Sequence, residues 1–93
     1  MDARVTLHLA GHCVETAARK EFKRLMDAAF DEAGDSPELE ARIELVRAFL
    51  ASADFPALRA SDPRLGGEVD AAVVLSRGPL GEIKMEIREP SEG

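Results

Sequence analysis

The chain has 93 residues (10.0 kDa), of which 45% are hydrophobic and 32% charged, with a formal net charge of −6. This is the length of one domain and the composition of a folded one, which excludes a disordered tail and a multidomain protein. The longest apolar run, Ala71–Leu75, is far short of the roughly 20 residues a membrane helix needs, so no membrane association is expected.

Arg4 to Ala10 alternates, with Val5, Leu7 and Leu9 on one side and Arg4, Thr6 and His8 on the other. That is the period of a half-buried strand, and Gly11 ends it. From Val14 the period becomes helical: Val14, Ala17, Ala18, Phe22, Leu25, Ala29 and Ala33 share a stripe, with Gly34 placed to stop the helix. Asp35-Ser36-Pro37-Glu38 then reads as a helix start. A Ser36 or Asp35 side-chain oxygen caps free N–H groups, and Pro37 suits the first helical position. Leu39, Ile43, Val46, Leu50 and Ala53 carry this second amphipathic helix from about Pro37 to Ala53, antiparallel to the first.

Phe55-Pro56 marks the exit, and residues 56–67 read as a connection with one helical turn at Pro56–Ala60. Two further strands follow. Val69, Ala71, Val73 and Leu75 alternate with Asp70, Ala72, Val74 and Ser76, and Ile83, Met85 and Ile87 alternate with Lys84, Glu86 and Arg88. The loop Arg77-Gly78-Pro79-Leu80-Gly81 joins them as a hairpin. The expected fold is therefore α+β, a two-layer sandwich of order β-α-α-β-β. A three-stranded, mostly antiparallel sheet, in order 1-2-3 ahead of 2-3-1, is covered on one face by an antiparallel helix pair. One domain is expected over residues 1–89, with 90–93 a frayed tail.

Charge is uneven along the chain: +2 over residues 1–26, −6 over 27–54 and −2 over 55–93. An acidic chain without Trp or Tyr repels a polyphosphate and lacks the usual stacking platforms, so nucleic acid is not an expected partner. The basic cluster Arg19, Lys20, Lys23 and Arg24 reads first as a solvated helix face, paired with Glu15, Glu21 and Asp27. It is also a candidate binding surface for an acidic protein partner. Ala72 and Val74 form a small apolar strip on the uncovered sheet face, a second candidate surface, against which another copy of the chain would pack as a homodimer. The alternating charges of Lys84, Glu86 and Arg88 read as protection of an edge strand.

Both histidines and the one cysteine lie between positions 8 and 13, where the first strand meets the first helix. Cysteine at a helix N-terminus favours the thiolate, so Cys13 is a candidate nucleophile or sulfur carrier, with His12 as its base or ion-pair partner. The plain alternative is a small apolar residue at the top of the core. The strand, glycine turn and cysteine resemble the small sulfur-carrier proteins of the TusA type over this short stretch. Those have Cys-Pro-x-Pro where this chain has Cys13-Val14-Glu15-Thr16, and a strand between their helices where it has Gly34-Asp35-Ser36. No Cys-x-x-Cys pair, EF-hand spacing, Walker motif or His-Glu-x-x-His pattern occurs, so neither metal nor cofactor is expected.

The reading with most support is a small cytoplasmic interaction or accessory protein, self-associating and without chemistry of its own. A single cysteine and a start without an apolar leader both fit that compartment. The alternative is a thiol-dependent enzyme or sulfur carrier using Cys13. A third reading places a small ligand between the helix layer and the 55–67 connection.

Overall fold

The computed structural model describes residues 3–31, 36–67 and 70–88. Strand β1 (Arg4–His8) leads into helix α1 (Val14–Asp31), helix α2 (Pro37–Ser52), a short helix α3 (Phe55–Ser61) and a 3₁₀ turn (Pro63–Gly66). Strands β2 (Ala72–Arg77) and β3 (Ile83–Arg88) complete the chain order. The protein is an α+β domain whose three-stranded sheet, in order β1-β2-β3, is antiparallel throughout and packed against helices.

Local chemistry explains the helix starts. The Ser36 hydroxyl accepts from the Leu39 N–H at 3.3 Å, with Pro37 in the first turn of α2. Asp54 does the same for α3, accepting from the Ala57 N–H at 3.2 Å, ahead of Pro56. Helix α1 starts without such a residue, and Cys13 stands in the capping position, its carbonyl accepting from Ala17 N–H at 3.0 Å. The stop expected at Gly34 and the tail at 90–93 fall outside the described residues.

Register places Val5 and Leu7 opposite Leu75 and Val73, and these opposite Met85 and Ile87. Because alternate residues share a face, this row faces the helices, and Arg4, Thr6, His8, Ala72, Val74, Ser76, Lys84, Glu86 and Arg88 face away. The core joins Leu7, Leu9, Val14, Leu45, Val46, Leu65, Val73 and Leu75, all without exposed surface.

Four details differ from the pattern in the sequence. Strand β2 runs Ala72–Arg77, a residue beyond the alternation that ends at Ser76; Val69, where that alternation began, lies outside the described residues, and the Leu9 N–H reaches the Ala71 carbonyl at 3.0 Å. The helical turn expected at Pro56–Ala60 is present as α3, but the connection also holds a 3₁₀ turn, and Phe55 and Leu65 from this stretch join the core. Helix α2 buries Ile43, Leu45, Val46 and Phe49, because it packs on α1 as well as on the sheet; Leu50 stays half-buried, and Phe55 of α3 meets Phe49 edge-on at 5.5 Å. Finally, Val74 on the outward face retains only 7% of its exposure.

Candidate functional site

The cysteine corner is built by two regions distant in sequence, the β1–α1 turn and the stretch that holds α3 and the 3₁₀ turn. The β1–α1 turn carries His12 and Cys13, with Ala10 and Gly11 both at positive φ. Cys13 is partly buried, and its Sγ lies 3.3 Å from the Thr16 Oγ1 one helical turn on. That hydroxyl, followed by the Thr16 backbone N–H, holds the thiol below its ordinary pKa. Partial burial opposes the shift, and the Arg59 side chain from α3 and the Glu15 N–H add to it. Arg59 also approaches Glu15 at 4.0 Å, and Glu15 binds Arg19 at 2.9 Å.

His12, the partner expected for Cys13, is hydrogen-bonded to Lys20 of α1. Its Nε2 lies 3.1 Å from the Lys20 Nζ, and an ammonium only donates, so Nε2 is the acceptor in that bond. Arg59, by contrast, is a neighbour of Cys13 that periodicity could not reveal, since it lies 46 positions further along the chain. Gly67 is another such neighbour. It adopts φ +90° and lies against the His12–Cys13 peptide, where a β-carbon would fall 2.8 Å from the His12 carbonyl carbon.

Three of the four basic side chains on α1 pair with acidic ones of the same helix, and the fourth, Lys20, reaches back to His12 in the turn before it. Arg19 meets Glu15, Lys23 meets Asp27 at 3.1 Å, Arg24 meets Glu21, and Lys20 meets His12. Exposed pairs of this spacing contribute only tenths of a kcal/mol each, but they lower the net positive field of the surface. On the outward sheet face, the low exposure of Val74 leaves the Ala72–Val74 strip little apolar area to offer a partner.

A larger apolar opening lies on the other side of the sheet. The helices cover β1 and β2 fully but reach β3 only at its margin, so Ile83, Met85 and Ile87 stay half-buried. A groove of about 420 Å³ runs there, with Phe49, Ala53, Ala57 and Leu58 forming one wall and Ile83 and Met85 the other. Ser52, Asp54 and Ser61 supply its polar groups. It lies beside α3, within the stretch where the sequence had suggested room for a small ligand. Among the described residues, no cluster of His, Cys, Asp and Glu is arranged to hold a metal ion. Among the same residues, no helix is long and apolar enough to cross a membrane.

Fold and surface together define a small α+β domain with one half-covered edge strand beside an apolar groove. Residues 3–83 match the model of a protein family, and the chain belongs to that family. It is similar to an uncharacterized protein of Archaeoglobus fulgidus, 44% identical over 57 residues, which is 59% of this chain and 67% of that protein. No solved structure matches it.

Proposed function

We propose that this protein is an interaction or accessory domain that acts by associating with a second copy of itself, without catalytic chemistry of its own. The observation that carries this reading is the half-exposed apolar row Ile83, Met85 and Ile87 on an edge strand, bordered by the groove under α2 and α3. An edge strand is normally short, charged on both faces, or covered, because its free N–H and C=O groups recruit another strand. This one is charged on one face only. Sedimentation equilibrium over a wide concentration range tests the reading. A mass rising to twice 10.0 kDa is expected, and a monomer at the highest soluble concentration overturns it.

A second reading has its own observation, the lowered pKa of Cys13 beside Thr16 and Arg59. In that reading Cys13 is the nucleophile or sulfur carrier of a thiol-dependent protein, and Arg59 takes the place expected for His12. Alkylation by a small haloacetamide, followed against pH on folded protein, tests it. A rate following an ordinary thiol, near pKa 8.5, removes the reading.

A further inference from the structure

The open edge of β3 has a definite hydrogen-bonding parity. The Gly78 N–H donates to the Glu82 carbonyl at 2.8 Å, which makes Gly78 and Glu82 a hydrogen-bonded pair of the hairpin. Antiparallel ladders alternate, so Lys84, Glu86 and Arg88 direct their backbone groups to Ser76, Val74 and Ala72 of β2. The bond from Leu9 to Ala71 gives the same parity from the other side of the sheet, sending the odd residues of β2 to β1. The N–H and C=O groups of Ile83, Met85 and Ile87 therefore line the open edge. The half-buried side chains of these same three residues face the groove side of the sheet.

We propose that a second copy of this chain pairs with this edge, antiparallel, β3 against β3, with the two-fold axis passing through Met85. This inference rests on the self-association reading above and names its interface. The charge pattern selects the register. A symmetric pairing that keeps like faces together must be centred on a residue. Centred on Lys84, it sets Lys84 against its own copy and Glu82 against Glu86. Centred on Glu86, it sets Glu86 against its own copy and Lys84 against Arg88. Centres at Ile83 or Ile87 run β3 past the end of its mate and lose most of the ladder.

Centred on Met85, every outward charge meets its opposite: Lys84 faces Glu86 of the second copy, and Glu82 faces Arg88 of the second copy. On the groove side Ile83 faces Ile87 of the second copy and Met85 faces Met85, so the apolar row becomes continuous between the two grooves. The bonds that currently engage these charges are weak ones. Arg88 reaches Glu86 at 3.4 Å on an exposed surface, and among the described residues the Glu82 carboxylate accepts from the Leu80 N–H in its own loop. Alternating charges protect an edge against most strands, but they are self-complementary in this single register.

The test is the dimer dissociation constant of the full chain and three variants, Lys84→Glu, Glu86→Lys and the double exchange, by sedimentation equilibrium. Each single change turns two attractive cross-strand pairs into repulsive ones, so dissociation constants rise about tenfold or more, and the double exchange returns to near the parent value. Both side chains are exposed, and circular dichroism verifies that the variants keep the fold. Amide exchange gives a separate readout: Ile83, Met85 and Ile87 become protected as concentration rises, and Lys84 and Glu86 are protected at every concentration. A dimer indifferent to both single changes, or one tightened by Lys84→Glu, overturns the β3 register and leaves self-association standing. A chain that never dimerises overturns both.

Discussion

Gly67 and Cys13 are in direct backbone contact: a β-carbon on Gly67 would lie 2.9 Å from the Cys13 nitrogen. The end of the 3₁₀ turn thus closes over the start of α1, fixing the peptide from which the cysteine side chain projects. Gly67 meets two demands that only glycine meets together, a left-handed backbone at φ +90° and a close approach by another backbone. Backbone, unlike a flexible side chain, cannot move aside for an added methyl group.

Gly67→Ala is therefore expected to lower stability by about 1–3 kcal/mol, combining backbone strain with overpacking. Its neighbour supplies the control. Gly66 has nothing within 4 Å of the corresponding position, so Gly66→Ala is expected to be neutral or slightly stabilising. Paired urea melts of the two variants distinguish this contact from a general intolerance of the loop to substitution.

Thr16→Val removes the hydroxyl 3.3 Å from the Cys13 Sγ and keeps the side-chain shape. The thiol pKa then rises toward its ordinary value, and the pH profile of alkylation moves with it. The sign of the stability effect follows from linkage. A thiol whose pKa is lower in the folded chain than in the unfolded chain stabilises the fold above the ordinary thiol range. That contribution disappears as pH falls through the folded-state value. Thr16→Val should therefore cost more in melting temperature at about pH 9.5 than at about pH 6. An equal cost at both values would show that the hydroxyl acts only through packing.

Leu65 tests how the connection contributes to the core. It is fully buried although it comes from a four-residue 3₁₀ turn, Pro63–Gly66. Leu65→Ala should destabilise by about 2–5 kcal/mol, as for any large core deletion. Leu80, 91% exposed in the hairpin loop, should tolerate the same change within about 0.5 kcal/mol. Thermal melts of the two variants measure the contrast directly.

The periodicities were sufficient for β1, α1, α2 and the β2–β3 hairpin, because alternation and 3.6-residue repeats report which face of an element is buried. They were also sufficient for the Ser36 cap, whose chemistry is local to four residues. At 55–67 they gave the helical turn at Pro56–Ala60 but not the burial of Phe55 and Leu65, which are too far apart and too few to make a pattern, and on α2 they missed the second buried side of a helix that packs on both α1 and the sheet. His12 illustrates the same limit at the candidate site. Adjacency to Cys13 suggested a pair, and nothing local to the turn announced that His12 Nε2 would bond Lys20 or that Arg59 of α3 would come near the sulfur.

By itself, then, the sequence determined the elements, their inward faces and the alternating charges of β3, all of which depend on neighbours within one or two turns. The tertiary structure alone decided that Gly67 closes on the cysteine corner, that Val74 is covered while Ile83, Met85 and Ile87 are not, and which backbone groups β3 leaves on its open edge. These depend on how far the helices reach across the sheet and on ladder parity. The first is set by contacts between segments tens of residues apart and the second by the hydrogen bonds of the folded hairpin, and no hydrophobic repeat encodes either.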